Sequence, residues 1–160
     1  MNDESAFTGA RGAEEGSAEF VLELPSDLRV IEAAVSYLVG RCRAYAFEGP
    51  RLDLNFRVSV TEALANAVLY GNAHDPAKTV RVVVALEEHR VVVCVEDEGE
   101  GFDPSSVPDP TEPENLQATG GRGLFLIRNL MDEIEFSERG NSVRMVLVRE
   151  ASESRRRVPR

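Results

Sequence analysis

The sequence predicts an α/β fold, a two-layer sandwich with one mixed, mainly antiparallel sheet and helices on a single face. Two helical stretches, at about 27–45 and 52–70, precede a pair of valine-rich segments at 80–86 and 91–95. Four residues join these segments, which is typical of a β-hairpin, and their almost continuous apolar character favours the middle of a sheet. A strand before the first helix and two strands after a glycine-rich third helix complete the expected sheet.

Composition and charge limit the class of protein. Of 160 residues, 42% are hydrophobic and 29% are charged, so we expect one domain with a substantial core. This domain is expected at 18–150, between a disordered tail at 1–17 and a disordered basic tail at 151–160. The net charge of −10 argues against direct binding of nucleic acid, which needs a basic face. No apolar run approaches the roughly 20 residues that span a bilayer, and the N-terminus is acidic, so we expect a cytoplasmic protein without membrane contact.

The first helix follows a short strand at about 20–24. Pro25 ends this strand, and Ser26 is expected to be the N-cap of a helix that begins at Asp27. Apolar residues recur at alternating spacings of three and four along this helix, at Leu28, Ile31, Val35, Leu38, Cys42 and Tyr45. Such a stripe usually covers a sheet, and a surface for a partner or a second copy is the alternative.

The second helix carries polar side chains on one side. Glu62, Asn66 and Tyr70 are spaced by four residues, so they lie above one another among small and apolar neighbours. A carboxylate and an amide one turn apart are costly to bury without a ligand or hydrogen-bond partners. A solvent-facing polar stripe is the alternative. Gly71 and Asn72 then end the helix in the usual C-terminal manner.

The apolar strand at 91–95 leads into a segment in which acids alternate with glycines. Asp97 stands where the strand ends, and Gly99 and Gly101 follow it. A carboxylate held at a rigid strand end, followed by backbone without Cβ atoms, suits close contact with a ligand. The alternative is a plain surface turn.

A loop at 103–119 contains four prolines and several acids, and we expect a mobile lid there. It leads to Gly120, Gly121, Arg122 and Gly123, which open the third helix. Glycines at a helix start direct free backbone N–H groups toward an anion, and the helix dipole and Arg122 add attraction. The spacing matches neither a Walker motif nor a dinucleotide fingerprint. Short strands are expected at 134–136 and 143–148.

Taken together, the segments at 62–72, 97–101 and 120–123 resemble the N box and the two glycine boxes of the GHKL superfamily. This superfamily shares an ATP-binding fold, the Bergerat fold, among gyrase, the Hsp90 chaperones, histidine kinases and MutL. The resemblance covers about residues 20–148. Within the superfamily, the stand-alone length and the run at 123–132 are similar to the anti-sigma-factor serine kinases of the RsbW and SpoIIAB type.

The resemblance implies a role for each motif. Asp97 would accept a hydrogen bond from the adenine amino group, and Asn66 would bind Mg²⁺. Glu62 would be the catalytic base for the attacking hydroxyl. The remaining contacts to ATP would come from Gly99 and Gly101 near the base and from Gly120, Gly121, Arg122, Gly123 and Leu124 near the phosphates.

The implied activity is that of an ATP-dependent serine/threonine kinase. It would phosphorylate an anti-anti-sigma protein with a STAS domain and sequester a sigma factor, with a homodimer as a further expectation. The sequence departs from the family pattern in two ways: position 70 is Tyr where these kinases often have His, and the lid has no basic residue before Arg122. The alternative is therefore a nucleotide-gated regulatory binding module without phosphotransfer. An ATPase module of a two-component system is disfavoured, because no phospho-acceptor helix pair or receiver domain accompanies it.

Overall fold

The computed structural model describes residues 11–12, 17–101 and 121–149, and of residues 11, 12 and 121 the backbone only. It has the predicted α/β class, with a six-stranded sheet in the order β1-β2-β3-β4-β6-β5. The strands are β1 (Arg11–Gly12), β2 (Ala18–Pro25), β3 (Thr79–Leu86), β4 (Arg90–Glu96), β5 (Glu133–Phe136) and β6 (Ser142–Val148). The helices are α1 (Ile31–Ala44), α2 (Arg57–Asn66) and α3 (Gly121–Leu130).

The sheet is more uniform than expected, because each pairing between described strands is antiparallel. Two helices, α1 and α2, connect β2 to β3, and β3 runs antiparallel to β2. Only one helix, α3, lies between β4 and β5, so these two strands run parallel to each other. They do not pair, because β6 lies between them and is antiparallel to both. Among the described strands, the antiparallel pairing that we expect to dominate the sheet is thus found throughout.

One face of the sheet forms the core with the helices. Leu22, Val82, Val95 and Val143 are in register across four strands, and all are buried. The apolar stripe of α1 packs on this face, with Ile31, Val35, Leu38 and Cys42 buried. The outermost residues of that stripe, Leu28 and Tyr45, are each 43% exposed. The middle of the stripe is thus core, as its spacing predicts.

The second helix runs over almost the expected range, but its two ends are wider than an α-helix. Segments Arg51–Phe56 and Ala67–Gly71, on either side of α2, are π-helical. At the C-terminal end, the Asn72 N–H donates to the carbonyl of Ala67, five residues earlier, at 2.7 Å. Wider turns of this kind are frequent at functional sites. Here the wide turn immediately precedes the residues that meet β4.

The start of α1 differs from the expectation. Asp27, not Ser26, caps the helical segment: its Oδ1 accepts from the Arg29 backbone N–H at 2.9 Å, before a 3₁₀ turn at Leu28–Val30. The hydrogen bonds from the Arg29 side chain lower the pKa of Asp27 to about 2. Ser26 is buried, and its hydroxyl donates to the carbonyl of Lys78 at 2.6 Å. A contact across 52 residues has replaced the local capping bond that the sequence predicts.

Parts of the expected organisation lie outside the described residues, including the lid at 103–119 and the tail at 151–160. Of the expected tail at 1–17, the structure describes Arg11 and Gly12, which pair with Glu19 and Ala18, and Ser17. Among the described residues, none of the helices has the length and apolarity that a bilayer crossing requires.

Candidate functional site

The structure brings two predicted site residues of α2 against the first turn of α3. A Cβ atom placed on Gly123 would stand 2.9 Å from Oε2 of Glu62 and 3.1 Å from Nδ2 of Asn66. Contacts this short are closer than real Cβ atoms ordinarily make, so a side chain at position 123 would push the ends of the Glu62 and Asn66 side chains away from their present positions. A carboxylate and an amide therefore lie beside a helix N-terminus, where backbone N–H groups have no helical partner.

This corner has the chemistry of a phosphate and magnesium site. The N-terminus of α3 carries partial positive charge and free donors, which attract an anion. The side-chain oxygens of Asn66 and Glu62 are hard donors of the kind that Mg²⁺ accepts. Among the described residues there is no cluster of three or more His, Cys, Asp or Glu that could hold a metal ion. A magnesium ion here fits best if the phosphate oxygens supply most of its ligands.

The first turn of α3 is held firmly against α2. Leu124 is buried, as is Ile127 one turn later, while the side chain of Arg122 is exposed. At the far end of α3, the Asn55 side chain donates to the carbonyl of Leu130 at 2.7 Å. The second helical segment, at 51–71, thus contacts α3 at both of its ends, through Asn55 before α2 and through Glu62 and Asn66 within it. Of the other predicted phosphate contacts, Gly121 opens α3, and Gly120 lies outside the described residues.

The second part of the site lies at the other end of the same helical segment. Asp97 follows β4, and a Cβ atom on Gly71 would stand 2.2 Å from its Oδ2. A Cβ on Gly99 would in turn stand 1.9 Å from the carbonyl oxygen of Gly71. The Gly99 N–H donates to Oδ1 of Asp97 at 2.8 Å. Asp97, Gly99 and Gly71 therefore form one close-packed unit, in which Gly71 has more than the helix-ending role predicted for it.

The turn between β5 and β6 holds the same loop from the opposite side. The Asp97 N–H donates to the carbonyl of Asn141 at 2.9 Å, and the Asn141 side chain donates to the carbonyl of Asp97 at 3.2 Å. Gly101 has a φ of 82°, and a Cβ there would stand 1.7 Å from the carbonyl oxygen of Arg139. Close packing on this turn thus requires glycine at position 101. The sequence predicts for Gly101 only a contact near the adenine base.

The structure gives Asn72 a role that the sequence does not predict. Asn72 has no exposed surface, and its side chain makes three hydrogen bonds. The sequence places Asn72 in the segment that resembles the N box, but predicts for it only the end of a helix. Tyr70, which precedes Gly71 and Asn72, is 51% exposed.

Burial influences the electrostatics at Asp97. Partial burial raises the pKa of its carboxyl above the ordinary value of 3.8, because it disfavours the charged form. The hydrogen bond from the Gly99 N–H opposes this increase, Glu96 adds to it, and Lys78 opposes it. A ligand that donates a hydrogen bond to this carboxylate would relieve part of the cost of its charge. Such a perturbed acid in a closely packed loop is typical of a binding site.

Comparisons with known proteins show the family to which the chain belongs. A family model described as histidine kinase-like ATPase domain matches residues 24–147. A serine-protein kinase RsbW from Oceanobacillus iheyensis is 25% identical over 122 residues, which are 72% of this chain and 77% of that protein. An anti-sigma F factor from Bacillus cytotoxicus is 35% identical over 79 residues, 48% of this chain and 53% of that protein. The RsbW kinase of Bacillus subtilis is 31% identical over 86 residues, 50% of this chain and 54% of that protein.

Proposed function

The chain belongs to the histidine kinase-like ATPase domain family, in the group of the RsbW and SpoIIAB kinases, and we propose that it is an ATP-dependent protein serine kinase and anti-sigma factor. Its substrate is an anti-anti-sigma protein with a STAS domain, and its second partner is a sigma factor. The names of its relatives, serine-protein kinase and anti-sigma F factor, support both activities. The catalytic domain comprises 18–150, and the protein acts in the cytoplasm.

One observation carries this proposal: a single helical segment contacts both halves of the site. At one point Glu62 and Asn66 lie against Gly123 of α3, and five residues beyond Asn66, Gly71 lies against Asp97. The Asp97 carboxylate, which can accept a hydrogen bond from a nucleobase, is thus held at a fixed distance from the corner formed by Glu62, Asn66 and Gly123, which can hold phosphates. A nucleotide triphosphate has this combination of a hydrogen-bonding base and a polyanion.

In this proposal, Asp97 accepts a hydrogen bond from the adenine amino group, and Gly99 keeps the backbone close to the base. The N–H groups of Gly121, Gly123 and Leu124 bind the phosphates. Asn66 would hold Mg²⁺, with Glu62 near it, and a bound ion would offset part of the charge on the phosphates. Because the protein has a net charge of −10, the metal and these donors must offset considerable repulsion.

Glu62 is the group that handles the proton in the transfer step. It accepts the proton of the serine hydroxyl of the substrate protein. The hydroxyl oxygen forms a bond to the γ-phosphorus of ATP. The bond from that phosphorus to the β,γ-bridging oxygen breaks, and ADP leaves with the electron pair. The exposed side chain of Arg122 is free to turn toward the transferring phosphoryl group, and is the candidate for stabilising it.

Labelling with γ-³²P-ATP tests the proposal directly. The full chain is incubated with Mg-ATP and each STAS-domain protein of the same genome, with the Glu62→Gln variant as the matched control. We expect one STAS protein to be labelled on serine by the wild-type chain, and at least about 100-fold more slowly by the variant. If the chain binds ATP and a sigma factor but labels no STAS protein, it is a nucleotide-gated binding module. Absence of ATP binding would exclude both functions.

A further inference from the structure

A closed ring of hydrogen bonds includes Glu98, the residue that follows Asp97. The Glu98 N–H donates to Oδ1 of Asn72 at 2.8 Å, and Nδ2 of Asn72 donates to the carbonyl of Thr79 at 2.9 Å. The ring closes where the Thr79 N–H donates to Oε2 of Glu98 at 2.6 Å. Three residues, from the end of the second helix, the start of β3 and the loop after β4, thus fix one another.

The ring is also connected to β2. Nδ2 of Asn72 donates to the hydroxyl oxygen of Ser26 at 2.9 Å, and that hydroxyl donates to the carbonyl of Lys78 at 2.6 Å. Asn72 has no exposed surface, and Ser26 is buried. The side-chain oxygen of Asn72 therefore serves the loop after β4, while its nitrogen serves the ends of the two neighbouring strands.

Two consecutive residues of the helix end thus hold two consecutive residues of the loop. Gly71 packs against the side chain of Asp97, and Asn72 binds the backbone of Glu98. We propose that Asn72 is the positioning residue for base recognition, because its amide oxygen fixes the Glu98 N–H and so aims the Asp97 carboxylate. This inference rests on the proposed function, since it assumes that Asp97 reads the adenine amino group.

Loss of the Asn72 amide should weaken recognition of the nucleobase more than binding of the phosphates. Without it, the Glu98 N–H and the Thr79 carbonyl lose buried partners, and the loop must shift to regain them. The corner formed by Glu62, Asn66 and Gly123 is held by α3 and not by this ring. The ring thus accounts for selectivity between bases, and the phosphate corner accounts for affinity common to all nucleoside triphosphates.

The test compares the affinities of Mg-ATP and Mg-GTP by calorimetry on the full chain. For Asn72→Ala we expect ATP affinity to fall by roughly 10-fold or more, while GTP affinity changes by less than about 3-fold. Asn129→Ala is the matched control, because Asn129 is exposed on α3 and donates to the carbonyl of Phe125 at 2.7 Å. Ser26→Ala removes a partner of Asn72 but leaves the bond to Glu98, so it should lower stability and preserve selectivity.

Other outcomes contradict the inference. Unchanged selectivity in a folded Asn72→Ala protein, or an equal loss for both nucleotides, leaves Asn72 with a structural role only. If that variant does not fold, Asn72→Ser decides: it removes the amide oxygen that accepts from the Glu98 N–H but keeps a small polar group at the buried position, and it should also lower ATP affinity selectively. Asp97→Asn separates the two proposals. If it has no selective effect on ATP, the base-reading function fails; if it does and the ring variants do not, only the role of Asn72 fails.

Discussion

The carboxylate of Asp97 lies directly against the α-carbon of Gly71, so closely that a Cβ atom there would stand 2.2 Å from Oδ2 and 2.3 Å from Cγ. The two residues come from the end of a helix and the end of a central strand, and they are far apart in sequence. Their contact joins the helix that carries Glu62 and Asn66 to the loop that carries Asp97. This contact therefore fixes the position of the Asp97 half of the proposed nucleotide site relative to the half at Glu62 and Asn66.

Gly71→Ala should displace the Asp97 carboxylate and weaken ATP binding. Crowding of this degree costs about 1–3 kcal/mol, which corresponds to roughly 10-fold or more in affinity. The matched control is Gly40→Ala in α1, where a Cβ atom would meet nothing within 4 Å. Because Gly40 is inside a helix, that change should stabilise the protein by about 0.5–1 kcal/mol and leave ATP binding unchanged. Calorimetry and thermal melts measure both effects, and equal ATP affinity in the two variants would contradict the assignment.

Asp97→Asn should discriminate between nucleotides. The loss of a hydrogen bond to a charged acceptor should weaken ATP binding by about 1.5–3 kcal/mol. GTP should be affected much less, because guanine has no amino donor at the corresponding position. Titration of Mg-ATP and Mg-GTP into both proteins measures the difference. A similar loss for the two nucleotides would show that Asp97 does not read the base.

The pH dependence of stability should carry a contribution from Asp97. Burial raises its pKa above 3.8 in the folded protein, so the folded state binds the proton more tightly than the unfolded state. The contribution of Asp97 to stability should therefore fall as pH rises from below 3.8 through the folded pKa, and stay constant above it. Binding of ATP favours the charged carboxylate, so ATP affinity should fall as pH decreases through that folded pKa. Denaturation and ATP binding are measured as a function of pH for the wild type and for Asp97→Asn. The difference between the two proteins isolates both effects.

Variants of α2 should separate binding from phosphotransfer. Glu62→Ala should leave Mg-ATP affinity close to wild type and lower the transfer rate by about 10²–10⁴-fold, which is typical of a lost general base. Asn66→Ala should abolish both, because it removes the predicted metal ligand. Quench-flow labelling and calorimetry with and without Mg²⁺ measure the two steps. Normal transfer by Glu62→Ala would exclude this residue as the base.

A contact far from the site offers a test of the fold alone. Oδ2 of Asp132 accepts from the Arg51 side chain at 2.5 Å and from the Val148 N–H at 2.7 Å. Asp132→Ala should therefore lower the free energy of unfolding by about 1–3 kcal/mol without changing ATP affinity. Asp53→Ala breaks an exposed ion pair with Arg43 and should cost at most about 1 kcal/mol. Urea denaturation compares them, and equal effects would show that the backbone contact at Val148 adds nothing.

Much of the fold could be predicted because its signals are local. The valine-rich hairpin and the spacing of Ile31, Val35 and Leu38 depend on neighbours within a few residues, and the structure places these side chains in the core. The motifs around Glu62 and Asp97 could be located for the same reason. Their contact with Gly123 and Gly71 follows from the tertiary structure, and the sequence indicated it only through the family resemblance.

The features that were missed all involve partners distant in sequence. Ser26 has the local chemistry of an N-cap, yet a buried carbonyl at Lys78 and the amide of Asn72 compete for its hydroxyl. Asn72 follows a helix and resembles an ordinary terminator, while its partners lie up to 46 residues away. The pairing of β6 between β4 and β5 is likewise a property of the whole sheet. Local propensity cannot encode any of these choices.

The contact of one helical segment with both Gly123 and Asp97 has a consequence for how the protein tolerates changes in length. Each residue of a regular α-helix advances the chain by about 1.5 Å and rotates it by about 100°. The segment Ala67–Gly71 is wider than an α-helix, but an inserted residue would rotate the chain there too. Insertion of one residue between Asn66 and Gly71 would therefore turn either the Asn66 amide or the contact between Gly71 and Asp97 out of its present position. The turn between β3 and β4, at 87–89, carries no such restriction. Insertions should therefore be tolerated in that turn and not within residues 62–72.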